Sequence, residues 1–149
     1  MIGNISAGLF YQPYTVPTSP VAGSSLWLDA DDATTFTYSS GSVVSQWNDK
    51  SGNSRNFSQS TVGNQPSRAT NIQNGKAAVQ FGSGGTKWLS KTAFGWAASN
   101  FTVFLVTKAT SSGNYQNIFA SDTIYGTSLA ITAAGDYYSV FNLGDDDYD

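Results

Sequence analysis

Apolar residues along this chain come in short runs closed by turn chemistry, and no run carries the three-to-four spacing of a helix of ordinary length. Leu26-Trp-Leu28 stops at Asp29-Ala-Asp-Asp32, and Ser42-Val-Val-Ser-Gln-Trp47 breaks at Asn48-Asp-Lys-Ser-Gly-Asn53. Runs of β-branched and aromatic residues bounded by Asn, Asp, Ser and Gly read as strands and turns. Strands are predicted near 24–28, 42–47, 55–59, 76–81, 86–90, 101–108, 116–120, 127–132 and 137–142. Asn100-Phe-Thr-Val-Phe-Leu-Val-Thr107 is apolar on both faces, as a central strand covered on both sides would be. Gly82-Ser-Gly-Gly85 and Ser111-Ser-Gly-Asn114 read as hairpin-type links. Asp31 to Phe36 reads as a single helical turn, with Asp29 or Asp31 as its cap. The expected class is all-β.

Residues 1–23 differ from the rest. Pro13, Pro17 and Pro20 block both helix and central-strand pairing, while Phe10, Tyr11 and Tyr14 give the segment something to bury. They read as an extended arm, either a leader lying on its own domain or an assembly arm that packs on a neighbouring subunit. Residues 24–149 form the expected folded domain. Its strand pattern stops near Leu143, before Gly144-Asp-Asp-Asp-Tyr-Asp149.

Several words of the sequence, in order, carry a resemblance: LWLDADD, VVSQWNDKSGN, Gln65-Pro66 and NGKAAVQF (Asn74 to Phe81). Together they resemble the laminin-G-like branch of the concanavalin A-like lectin/glucanase superfamily, in its bacterial and bacteriophage form. The resemblance covers roughly residues 24 to 133. It implies a two-sheet antiparallel jelly-roll sandwich, a fold that hosts lectins, glycanases and purely structural modules. Members usually continue past the equivalent of Leu143. The resemblance therefore implies a short variant, a cut-off sequence or an edge supplied by another chain, and the hazard of an open sheet edge favours the last two.

The composition narrows the function. Only 11% of the 149 residues are charged, against about 25% in an average globular protein, so the surface must be wetted by Ser, Thr, Asn, Gln and Gly. The net charge of −3 hides acids gathered at the end (Asp136, Asp145, Asp146, Asp147, Asp149) and leaves no basic cluster for nucleic acid. No apolar run has the length of a membrane span. There is no Cys, hence no disulfide framework and no thiolate site. The first twenty residues lack the basic and apolar regions of a signal peptide. A cell-surface-like composition without an export signal suggests a virion, with a bacterial extracellular or cell-surface location as the alternative.

The chemistry is limited by two absences, since the chain has no His and no Glu. Glycanases of the resembled fold work with paired glutamates, and retaining chemistry needs two carboxyls about 5 Å apart. Ser-His-Asp catalysis is excluded as well, so no catalytic residue is assigned. Asp29, Asp31 and Asp32, beside Thr34 and Thr35, are candidate calcium ligands, and turn capping accounts for the same residues. Asp49 reads as an Asx-turn residue, Trp47 as core, and Trp88 and Trp96 as candidates for stacking on sugar rings. The expected protein is a non-enzymatic bacteriophage tail, fibre or capsid-decoration protein. Its expected partners are other virion proteins and copies of itself. The alternatives are a carbohydrate-binding module for host surface glycans and a glycoside hydrolase.

Overall fold

A computed structural model of the chain describes residues 21–82, 85–94, 102–108, 116–120, 128–131 and 137–140. Eight strands run through them: β1 (Phe36–Ser40), β2 (Val43–Trp47), β3 (Phe57–Ser58), β4 (Ser67–Gln73), β5 (Lys76–Gln80), β6 (Gln116–Ala120), β7 (Ser128–Ile131) and β8 (Tyr137–Val140). They form two antiparallel sheets. One has the order β1-β2-β4-β5 with β3 also on β2, and the other has the order β6-β7-β8. The only helical pieces among the described residues are two 3-10 turns, Ala33–Thr35 and Val62–Asn64. The protein is all-β in these parts.

Two tight turns set the first sheet. Gly41 and Ser42 join β1 to β2, with Ser40 opposite Val43 and Gly41 at a φ of 52°. Asn74 and Gly75 join β4 to β5, with Gln73 opposite Lys76 and both turn residues at positive φ, 51° and 77°. Two central residues in the left-handed region are what a type I′ hairpin requires, and Asn-Gly is its strongest sequence signal.

The edge of β2 away from β1 is shared by two segments. β3 pairs near its end (Trp47 opposite Phe57), and β4 pairs near its start (Val43 opposite Ser67). Between them Gln59 N donates to Ser45 O at 2.9 Å, and Val44 N donates to Pro66 O at 2.8 Å. The intervening loop is pinned by Gln65, which is 2% exposed. Its Nε2 donates to Gln59 O, and its Oε1 accepts from Ser39 Oγ, both at 2.6 Å.

The described core lies where β1 meets β2. Thr37 opposes Gln46 while Tyr38 opposes Val44, so Ser45 is an extra residue in β2. Val44 and Trp47 are three apart and would face opposite ways in a regular strand. The bulge lets them oppose Tyr38 and Phe36, which share one face of β1. Val44 is fully buried, Phe36 is 8% exposed, and the Phe36 ring stacks on Trp47 at 5.2 Å and on Tyr38 at 5.9 Å.

Several expectations are corrected. Residues 24–28 form no strand; Trp27 instead holds the 48–53 loop through single backbone hydrogen bonds. Of the strand expected at 86–90, only an isolated bridge from Ser90 to Ser58 forms. Residues 102–108 join no ladder, and Phe104 and Val106 are 82% and 102% exposed. High β-propensity there is not matched by a neighbouring strand, and propensity alone does not make a sheet. Phe36–Ser40 and Ser67–Gln73 are strands that the hydrophobic pattern does not announce. The cap of the first 3-10 turn is Asp32, not Asp29 or Asp31. The arm residues Phe10, Tyr11 and Tyr14, the Ser111–Asn114 link, Trp96 and the terminal aspartates lie outside the described residues.

Candidate functional site

The polar density of the described protein is concentrated where residues 25–32 meet the 48–55 loop. Asn48-Asp-Lys-Ser-Gly follows β2 directly, so the ladder fixes where Asp49 and Lys50 emerge. Asp49 then gathers the loop around itself. Its Oδ1 accepts from Trp27 N at 2.9 Å and from Ser51 N at 2.8 Å. Its Oδ2 accepts from Ser51 Oγ at 2.7 Å and from Arg55 N at 3.1 Å. The bond to Ser51 N, two residues on, is the Asx-turn contact. Burial works to raise the Asp49 pKa, but the hydrogen bonds from Trp27, Ser51 and Arg55 outweigh it and hold the carboxyl below its usual value.

Lys50 is the second hub. Its Nζ lies 2.9 Å from Asp29 Oδ2 and 2.9 Å from Asp32 Oδ2, and 4.2 Å from the centre of the Trp27 ring. Two carboxylates and an aromatic face on one ammonium fix the Leu26–Asp32 strap against the loop. Burial works to lower the Lys50 pKa, and the hydrogen bonds it donates to Asp32 and Asp29 override it, so the group stays charged beyond its usual range. Lys50 N donates to Trp27 O at 2.8 Å, which closes the strap from the backbone side. Arg55 Nη1 and Asn53 Nδ2 add bonds to Ser25 O at 2.9 and 3.3 Å.

The candidate calcium ligands do not converge. Asp29 Oδ1 accepts from Asp31 N, and Asp32 Oδ1 accepts from Thr34 N and Thr34 Oγ1. Asp31 turns the other way, towards the second hairpin: its Oδ1 accepts from Ala77 N at 3.1 Å and its Oδ2 meets Lys76 Nζ at 2.7 Å. Arg68 reinforces that contact from β4, donating to Ala30 O at 2.9 Å and to Asp31 O at 3.0 Å while lying 5.5 Å from the Phe36 ring. Each oxygen of Asp29, Asp31, Asp32 and Asp49 thus has a donor of the protein's own. Among the described residues, no group of three or more acidic, His or Cys side chains is placed to hold a metal.

These pKa shifts have a consequence in acid. The Lys50 hydrogen bond, and then the Thr34 side chain and backbone, draw the Asp32 pKa down from 3.8 to about 2. The Asp31 pKa is also lowered, by Lys76 and by Ala77 N. A folded-state pKa below the unfolded value contributes stability above the unfolded pKa, and that contribution is lost as pH falls through the folded one. Acid unfolding of the protein and of Asp32→Asn should therefore differ above about pH 4, with the difference closing between about pH 4 and pH 2. A difference that stays constant across that window would show that Asp32 carries no linked proton.

Elsewhere the first sheet carries a broad surface feature. Tyr38, Gly41, Ser42, Arg68, Ala69 and Thr70 line a shallow depression of about 560 Å³ beside the β1–β2 turn. Trp88 is 47% exposed, and its backbone N donates to Asn64 O at 3.0 Å. Hydrophobic patterning gives no sign of Lys50, Arg68, Lys76 or Tyr38 as site residues, because each is placed by a partner distant in sequence, such as Asp31 for Lys76, or by a turn. No protein family model, no characterised protein and no solved structure matches the chain.

Proposed function

We propose that the protein is a non-enzymatic structural or adhesion component of a bacteriophage virion, built as a laminin-G-like, concanavalin A-like jelly-roll sandwich. The observation that carries the non-enzymatic part is that every carboxylate oxygen of the acidic cluster is engaged by a donor of the protein's own. General acid–base or nucleophilic work by a carboxyl needs an oxygen free to meet a substrate. The oxygens of Asp29, Asp31, Asp32 and Asp49 are spent on the protein's own N–H, O–H and ammonium groups. The cluster acts as a fastener between strap, loop and hairpin. A five-stranded and a three-stranded antiparallel sheet are the parts such a sandwich requires. The scarcity of charge and the sequence words quoted above support the virion setting.

A second reading, recognition of a host glycan, is favoured by the depression beside Tyr38. An exposed aromatic with Ser42, Thr70 and Arg68 around it offers a stacking face and hydroxyl partners. Both readings meet one experiment. Incubation with a panel of polysaccharides should release no reducing ends, and the protein should co-sediment with the particles of the phage that encodes it. Reproducible release, abolished by one Asp substitution, or absence from purified particles would sink the first reading. Retention on immobilised glycan, lost in Tyr38→Ala while the protein still unfolds cooperatively, would establish the second.

A further inference from the structure

Residues 102–108 hold the most exposed apolar side chains described in the protein. Val103, Phe104, Leu105 and Val106 are 44%, 82%, 44% and 102% exposed. The alternation has the period of an extended chain, in which successive side chains face opposite ways. Phe104 and Val106 therefore stand on the open face, with Val103 and Leu105 on the more covered one. None of residues 102–108 takes part in a ladder or a hydrogen bond among the described residues. Unpaired backbone flanked by exposed β-formers is a template for another strand.

We propose that Thr102–Thr107 is a pairing edge for a second copy of this chain, joined antiparallel about a two-fold axis through Phe104. The inference rests on the reading of the chain as an assembling protein and names the partner and the surface. The segment reads Thr-Val-Phe-Leu-Val-Thr, with no charge, Pro or Gly, and Phe104 has an aliphatic neighbour on each side. A two-fold interface sets the same patch against itself. With Phe104 on the axis, Phe104 meets Phe104 of the second copy, Val103 meets Leu105, and Thr102 meets Val106. Apolar therefore opposes apolar across the centre, and aromatic cross-strand pairs are favourable. The two Lys108 residues fall at opposite ends, about 27 Å apart at roughly 3.4 Å per residue, beyond the Debye length of about 8 Å. The charges are thus compatible with self-pairing.

Area sets the strength. Two Phe104 rings bring roughly 250–400 Å² of surface, against about 1,600 Å² in a standard stable interface. The association is therefore weak and dependent on concentration in free solution, and is reinforced where many copies sit side by side.

The absence of cysteine gives a direct test on the full chain. Residues directly opposite in an antiparallel pair have Cα atoms about 4.5–5.5 Å apart, within disulfide reach. Phe104→Cys should form disulfide-linked dimers under mild oxidation. Val106→Cys should not, because its two copies lie about 14 Å apart in this register. Sedimentation of the unmodified protein should show a monomer–dimer equilibrium, and Phe104→Lys, which sets two like charges on the axis, should weaken it at least tenfold. Monomer at every concentration, equal cross-linking at both positions, open-ended fibres, or capture of residues 102–107 by another segment of the same chain would overturn the pairing edge. Particle content separates this outcome from the virion reading. A protein present in particles without Phe104→Cys cross-links loses only the pairing edge, and a dimer absent from particles loses only the virion role.

Discussion

Asp49→Ala is expected to destabilise the protein by about 3 kcal/mol. Hydrogen bonds to a charged group contribute about 1.5–3 kcal/mol each in favourable cases, and donors left without a partner cost about 1–3 kcal/mol when buried. Asp49 accepts four such bonds, two of them from the backbone N–H groups of Trp27 and Arg55, which have few other ways to be satisfied. The site is half-buried, so water recovers part of the loss, and the sum settles nearer one full bond than four. For a chain of this size, about 3 kcal/mol lowers Tm by roughly 6–12 °C. Asp49→Asn keeps the shape and one acceptor oxygen, so it should fall between the two. Thermal unfolding followed by near-UV circular dichroism checks this order. An Asp49→Ala protein that melts with the parent would mean that the strap is held by Lys50 and the loop backbone alone.

The largest loss is expected from the core pair in β1 and β2. Phe36→Ala should cost about 3–5 kcal/mol, the usual range for deleting a buried aromatic. The ring is 8% exposed and contacts three others: it stacks on Trp47 and Tyr38 and lies under the Arg68 guanidinium. Removing it leaves a cavity and frees Arg68, which ties β4 to Ala30 and Asp31. Trp47→Ala should cost less than Phe36→Ala, because Trp47 is only partly buried. Its Nε1 is buried without a hydrogen-bond partner among the described residues, so Trp47→Phe removes no bond and should cost under about 1.5 kcal/mol. Denaturant midpoints at constant m-value would give the three differences. Trp47→Ala worse than Phe36→Ala would place the centre of this core on the wrong strand.

These two sites show what could be read from the residues alone. Val43 to Trp47 is a strand whose β-branched and aromatic residues end in a turn word, and that signal is local. The strand at Ser67–Gln73 carries few apolar residues and is mostly exposed towards its end; its ladder partner and the Asn74-Gly75 turn hold it. That dipeptide is visible in the sequence, and weighting turn chemistry above hydrophobicity would have found the hairpin. The opposite error falls on residues 102–108, where apolar content suggests a covered central strand and the segment stands exposed. Hydrophobicity measures the wish to be buried, not the presence of a neighbour.

The acidic words were legible as polar loops and not as a connected fastener. Asp29-Ala-Asp-Asp32 presents three carboxylates close in sequence, which invites a shared ligand. The backbone splits them: Asp29 and Asp32 face Lys50, and Asp31 faces Lys76 and Ala77. That split depends on the 48–53 loop and the β4–β5 hairpin arriving from 20 and 45 residues further on, which no local pattern records. Surface ion pairs of this kind contribute little one by one, about 0–1 kcal/mol each. Their effect here is positional, because together they orient the strap.

The central claim is that the acidic cluster is a fastener completed by the protein itself, and the melting temperature across a calcium titration tests it most directly. A ligand that binds only the folded state adds about 2.7 kcal/mol at a hundredfold excess over its dissociation constant, roughly 5–10 °C in Tm for a chain of this size. Because each oxygen of Asp29, Asp31, Asp32 and Asp49 already accepts from an N–H, O–H or ammonium group, millimolar calcium should leave Tm within about 1 °C of its value in a chelator. A rise of several degrees that is lost in Asp31→Ala would contradict the claim and make the cluster a metal site.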